Sequence, residues 1–220
     1  SSDLADGADG DDFRTVGGDY YKPTDADYEA NCDEARQLLA DAGYPNGEGF
    51  PVVEYLYNTS DAHKAVAEAL QFMWEEELGV KVTLNNQEWA AFLQTRKDGD
   101  YSIARNGWIA DYNDPISFLD MWVSTSGNND VQFGKGENAN AAIYNLDLTP
   151  YGYDTKVENG TWAETYDVLI STIKSCTDTD NRYAMMHMAE DMLMETGCIV
   201  PLYFYTDLYM LDDSVHGFYS

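Results

Sequence analysis

The chain has 220 residues, with 40 acidic against 12 basic side chains and a formal net charge of −28. That length suits one domain or one large lobe with a real core, and 17 Tyr, 8 Phe and 5 Trp argue against a disordered acidic chain. Such a surface repels phosphate backbones and anionic lipid headgroups, so neither nucleic acid nor a membrane surface is expected to bind it by charge.

The acid is evenly spread. Residues 1–110 hold 22 acids and 8 bases, and residues 111–220 hold 18 and 4, so the charge belongs to the whole surface and not to a tail. No run of 18 apolar residues occurs, so no membrane-spanning helix is expected. The opening Ser1-Ser2-Asp3-Leu4-Ala5-Asp6-Gly7 lacks the basic and apolar regions of a signal peptide. The expectation is a cytosolic protein or one whose targeting segment has been removed. Cys32, Cys176 and Cys198 make an odd number without a C-x-x-C spacing. A Cys176–Cys198 disulfide stays open, because spacing does not establish geometry.

Residues 1–12 read as a flexible lead-in with little to bury. A helix is predicted from a cap at Asn31, with Asp33 and Glu34 in its first turn and Ala35, Leu38, Leu39 and Ala42 as its apolar stripe; Gly43 ends it. Val52–Tyr57 reads as a strand, and Ser60 caps a long helix from Asp61 to Leu78 that Gly79 stops. Val80–Leu84 alternates as a second strand, a short helix follows near Glu88–Thr95, and a third strand is predicted at Tyr101–Asn106. Strand, long helix, strand is the pattern of a parallel βαβ unit, whose ligands gather at the carboxyl ends of the strands. Residues 124–161 are rich in Gly, Asn and Ser and read as a long loop. Helices are predicted at Trp162–Ser175 and Thr179–Glu195, the methionines of the second serving as core. Cys198–Tyr205 and Leu208–Leu211 read as paired strands. The fold class is α/β.

Catalytic patterns are missing: the sequence has no Gly-x-Ser-x-Gly, no His-Glu-x-x-His, no phosphate-cradling loop and no Gly-x-Gly-x-x-Gly. His63, His187 and His216 sit in unlike contexts, so a shared metal site is disfavoured and no cofactor is expected. With 40 carboxylates, chance acid pairs carry no information. The informative stretch is 54–123. There Arg105 and Trp108 arrive at a strand end and a polar turn, Asp111-Tyr112-Asn113-Asp114-Pro115, follows at once. Aromatic walls beside a few fixed charges are what a small-molecule site requires, although a core Trp and a turn Asp would look the same.

Gly107-Trp108-Ile109-Ala110-Asp111-Tyr112-Asn113-Asp114-Pro115-Ile116-Ser117-Phe118-Leu119 resembles the extracytoplasmic oligopeptide-binding proteins of ABC importers, solute-binding family 5. So do Tyr57-Asn58-Thr59-Ser60-Asp61-Ala62-His63-Lys64, Gln87-Glu88-Trp89 through Phe92-Leu93-Gln94-Thr95-Arg96, the helix from Ala35 to Tyr44, and the closing segments 181–190 and 199–203. The likeness covers roughly 13–125 and 160–220 and departs at 126–159, so nothing is carried over to that loop.

The resemblance implies a single lobe of a periplasmic-binding-protein-like fold, a mixed sheet flanked by helices, with residues 13–220 as the C-terminal substrate-binding lobe and 126–159 as an insertion. It implies no catalysis. Asp111 matches the aspartate that receives a peptide's α-ammonium, a charge-assisted bond that a closed cleft strengthens. Trp89 and Trp108 match aromatics lining side-chain pockets, where flat rings accept many side chains through area. His63, Arg96 and Arg105 match positions that meet the peptide's C-terminal carboxylate or an acidic side chain; for each arginine an ion pair within the lobe is the competing role. The implied partners are short peptides with a free N-terminus and the membrane permease of an importer, the implied location is extracytoplasmic, and a monomer is expected. The alternatives are a nickel chelate, haem or oligosaccharide as ligand, a glycosidase using Asp111 and Asp114, and an interaction module built on 126–159.

Overall fold

The computed structural model of the protein describes residues 5–6, 11–20, 24–136, 143–206, 210–212 and 214. Its helices are α1 (Phe13–Gly17), α2 (Tyr28–Asp41), α3 (Asp61–Leu78), α4 (Trp89–Asp98), α5 (Trp162–Ser175) and α6 (Thr179–Met194). Its longer strands are β1 (Val53–Asn58), β2 (Val82–Gln87), β4 (Ile143–Asp147) and β5 (Lys156–Thr161), with a two-residue β3 at Ile103–Ala104.

β1 is the centre of a parallel three-stranded sheet in the order β2-β1-β3. The register sets Tyr55 against Leu84 and Ile103, and Leu56 against Asn85 and Ala104. The crossover is α3, which packs on β1 and β2, with α2 stacked on α3. Ser60 caps α3 by accepting from the His63 N–H at 3.5 Å, and Gly79 closes it in the left-handed region at φ 66°. Gly79 has a second reason to be glycine: a Cβ there would lie 2.2 Å from the Asn46 carbonyl oxygen, where the turn after α2 crosses the helix end. The exposed edge of β2 is tied to α3, with Gln71 donating to the Val82 carbonyl at 2.7 Å and Glu75 accepting from its N–H at 3.2 Å. Tyr55, Tyr57, Ala67, Val80 and Val82 form the apolar cluster of this half.

The larger cluster lies between α5, α6, the turns at 115–122 and the β4–β5 pair, around the fully buried Tyr166, Leu169, Ile173, Met185 and Met186. Phe13 of α1 enters it and stacks on His187 at 4.0 Å. A capping box starts α5: Thr161 accepts from the Glu164 N–H at 3.2 Å and Glu164 returns to the Thr161 N–H at 2.9 Å. Asp178 caps α6 through the Asn181 N–H at 2.9 Å.

The architecture agrees with the α/β expectation. Strand β1 and helices α3, α5 and α6 fall within one residue of their predicted bounds, while β2 starts two residues and ends three residues later than predicted. Three predictions are corrected. α2 starts at Tyr28 and not after Asn31, because Asp27 and Thr24 close a turn one helical turn earlier. Residues 124–161 are not all loop: β4 and β5 pair antiparallel with a bulge between Tyr144 and Leu146. Only Leu146 and Gly160 of that pair are buried, so alternation is too weak to read through Asn145 and Asn159. Cys198–Tyr205 forms no strand, since β3 is too short an edge to pair with it, and Val200, Phe204 and Tyr205 stand 71%, 55% and 59% exposed. Leu208 and His216 lie outside the described residues, as does most of 1–12, of which Ala5–Asp6 and Asp11–Asp12 pair antiparallel. All three cysteines are free.

Candidate functional site

The carboxyl ends of β1 and β2 are locked to each other before any ligand residue is reached. Thr59 Oγ1 donates to Asn86 Oδ1 at 2.9 Å, and Thr95 of α4 donates to Gln87 Oε1 at 2.9 Å. Arg105 follows β3 directly, and its N–H donates to the Leu56 carbonyl at 2.8 Å, so the ladder extends to the residue whose guanidinium turns into the site. That guanidinium donates to Asn58 Oδ1 at 3.2 Å and to the Tyr205 hydroxyl at 2.7 Å. The same hydroxyl lies 3.5 Å from His63 Nε2. Gly107 makes room for this arrangement: a Cβ there would stand 2.9 Å from Arg105 Nη2.

His63 and Arg105 are thereby brought together about the Tyr205 hydroxyl. Burial, and then the nearby Arg105 charge, push the His63 pKa below its usual 6.5. The Tyr205 phenol is pulled below its usual value by its hydrogen bond with Tyr203 and by Arg105, partial burial working against both. Well above pH 6.5 His63 is neutral folded or unfolded; as pH falls through 6.5 the unfolded chain takes the proton first, so this site withdraws stability on the acid side. A proton NMR titration of the His63 ring, assigned with His63→Gln, is expected to give a midpoint below 6.5 that rises in Arg105→Ala. A midpoint at or above 6.5, or one indifferent to Arg105, would contradict this electrostatic picture.

Trp108 and Asp111 lie on the segment leaving β3. Trp108 is half-buried against the larger cluster, and its Nε1 is buried with no hydrogen-bond partner among the described residues. Asp111 is exposed; its N–H donates to Ser117 Oγ at 2.9 Å, while its carboxylate has no hydrogen bond or ion pair among the described residues. Trp89 opens α4, 53% exposed, with its ring 5.8 Å from that of the buried Phe92.

Arg96 stands apart. Its Nε and Nη2 reach one carboxylate oxygen of Asp130 at 2.8 and 2.7 Å, its Nη1 donates to the Arg105 carbonyl at 3.4 Å, and its Cζ lies 5.0 Å from the Phe92 ring centre. Asp114 is likewise engaged, with both oxygens on Arg182 at 2.7 and 3.0 Å while one also accepts from the Ile116 N–H at 3.0 Å. Asp114 therefore shapes the turn behind Asp111. The structure adds Asn58, Tyr205, Asp130 and Arg182, for which the sequence carries no site expectation. Asn58 and Arg182 lie inside the motifs quoted above, whereas Asp130 lies in the loop where the resemblance ends.

Comparison with known proteins gives a consistent picture. The model of the bacterial extracellular solute-binding proteins, family 5 (middle region), matches residues 6–130. The periplasmic oligopeptide-binding protein OppA of Escherichia coli is 35% identical over 190 residues, 86% of this chain and 30% of the relative. The dipeptide-binding protein DppE of Bacillus subtilis is 32% identical over 211 residues, 95% of this chain and 32% of the relative. The crystal structure of Haemophilus influenzae OppA in complex with RPPGFSPFR superposes with a TM-score of 0.61 at 30% identity, covering 79% of this chain and 29% of that one. The chain thus spans about a third of the length of these relatives.

Proposed function

Because this chain belongs to the bacterial extracellular solute-binding proteins of family 5, we propose that residues 13–220 form the C-terminal ligand-binding lobe of a receptor that captures short peptides for an ABC-type importer. The lobe binds and does no chemistry. The receptor works outside the cytoplasm and hands its ligand to a membrane permease. Relatives named for oligopeptide and dipeptide binding support a peptide as ligand.

The observation that carries this reading is the distribution of partners around the strand ends. Asp111 presents a carboxylate with no partner among the described residues, while the neighbouring Asp114 has both oxygens on Arg182. A carboxylate left without a partner is suited to an α-ammonium. Arg105 and His63 face a common hydroxyl where a carboxylate would be welcome, and Trp108 offers an unused N–H beside an apolar ring. Trp89 supplies exposed aromatic area for side chains. Arg96 acts from behind, held by its ion pair with Asp130.

Asp111 gives the test. A peptide with a free amino terminus is expected to bind the complete receptor about 10–100-fold more tightly than its N-acetylated form, the range of a charge-assisted hydrogen bond. Asp111→Asn is expected to abolish that preference by weakening only the free form. Calorimetry showing equal affinity for the two forms in the unmodified receptor would refute the role given to Asp111.

A further inference from the structure

The loop 129–133 is fastened to the site by a buried ion pair. Asp130 and Arg96 have side chains only 7% and 12% exposed. The Asp130 carbonyl accepts from the Tyr101 hydroxyl, and Gln132 Nε2 donates to the Lys97 carbonyl at 2.9 Å, which binds the loop to the end of α4. Asn129, 1% exposed, holds the turn from inside, donating to the Phe133 carbonyl at 2.8 Å and accepting from the Phe133 N–H at 3.0 Å. Arg96 then reaches forward to the Arg105 carbonyl at 3.4 Å. With its N–H already on Leu56, Arg105 has both backbone polar groups held.

We propose that Asp130 is a positioning residue, which through Arg96 fixes the backbone of Arg105 and so sets how tightly the lobe takes a ligand carboxylate. Arg96 is a strut here and not a ligand contact. Two of its donors go to Asp130 and a third to a backbone carbonyl, its flat face covers Phe92, and little of it meets solvent. A guanidinium so engaged would have to give up a buried counter-charge to meet a ligand, which desolvation opposes. The inference rests on the reading of Arg105 as a carboxylate partner.

The two roles for Arg96 predict opposite signs. If Arg96 met the ligand, Asp130→Asn would release it and tighten carboxylate binding. If Arg96 is a strut, the same change loosens Arg105. The experiment is calorimetry of trialanine and trialanine amide on the complete receptor, with Asp130→Asn, Arg96→Lys and Arg105→Ala beside the unmodified protein. Arg96→Lys keeps the charge on Asp130 but loses the fork that also reaches Arg105, so it serves should Asp130→Asn fold poorly. Both variants are expected to weaken trialanine about tenfold and leave the amide unchanged. Unchanged or tighter trialanine binding overturns the proposal, and so does an equal loss for both peptides, which marks a structural defect alone. If the unmodified receptor does not discriminate carboxylate from amide, or if Arg105→Ala discriminates as well as the unmodified receptor, the carboxylate role of Arg105 falls and takes this inference with it.

Discussion

Trp162→Ala is expected to destabilise the chain by about 3–5 kcal/mol, the range for removing a large buried aromatic side chain. Trp162 is 2% exposed at the first position of α5. Its ring stacks on Phe133 at 4.1 Å and on Tyr166 at 4.5 Å. Its Nε1 donates to the Met192 carbonyl at 2.9 Å, in the last turn of α6 where helix carbonyls lack intrahelical partners. The substitution therefore removes a stack on both faces and leaves a buried acceptor unsatisfied. For a chain of this size the unfolding midpoint is expected to fall by roughly 6–20 °C in a calorimetric scan. Trp162→Phe keeps most of the stack and loses the hydrogen bond, so its loss is expected to be less than half as large. Equal losses in the two variants would show that the hydrogen bond, and not the packing, carries the effect. Because Phe133 anchors the turn that bears Asp130, the alanine variant is also expected to loosen the site from a distance.

What could be read in advance follows the strength of local signals. α3 was legible at both ends because Ser60 and Gly79 are residues whose chemistry specifies a boundary, and its apolar positions recur at helical spacing. α5 was legible because Thr161 and Glu164 bracket it with a reciprocal cap. The β4–β5 pair was not, since its buried positions are one leucine and one glycine, and a period of two cannot be counted on that. The C-terminal run misled in the other direction. Its composition is that of a strand, but a strand needs a partner edge, and neither the two-residue β3 nor any other described strand pairs with it.

The site divides the same way. Motif likeness picked out Asp111, Trp108, Arg105 and His63, and the fold sets Arg105 and His63 about a single hydroxyl. No local pattern announces that Arg96 turns inward while Arg105 turns outward. That choice depends on Asp130, 34 residues further on, at the end of the stretch that the family model matches. Likewise Asp111 and Asp114 are equivalent as letters. Asp114 is set apart locally as the cap of the turn that Pro115 begins, and its full engagement comes only when α6 delivers Arg182 to it. Long-range ion pairs are where sequence reading loses its grip, because the partner's identity is set by tertiary packing.

Stability of the chain is expected to rise steeply with salt. With 12 basic side chains against 40 acidic ones, even complete one-to-one pairing would leave 28 carboxylates without a cation. The acids also occur in runs such as Glu75-Glu76-Glu77. Their mutual repulsion is greater in the folded chain than in the expanded unfolded one, so it subtracts from stability. The Debye length shrinks from about 10 Å at 0.1 M salt to about 3 Å at 1 M, which removes most of that repulsion. Buried pairs such as Arg96–Asp130 are screened far less and lose little over the same range. The net change is stabilising, on the order of several kcal/mol, and the unfolding midpoint at pH 7 is expected to climb by at least about 10 °C between 0.1 and 2 M potassium chloride. A general effect of salt on water is separated by a variant with six exposed acids neutralised: Glu29→Gln, Glu48→Gln, Glu76→Gln, Asp100→Asn, Asp154→Asn and Glu158→Gln. None of the six side chains has a hydrogen bond or ion pair among the described residues, so the change acts through charge. This variant is expected to be more stable than the parent at 0.1 M and to gain less from added salt. Parallel salt curves for the two proteins would show that screening of the surface charge is not the cause.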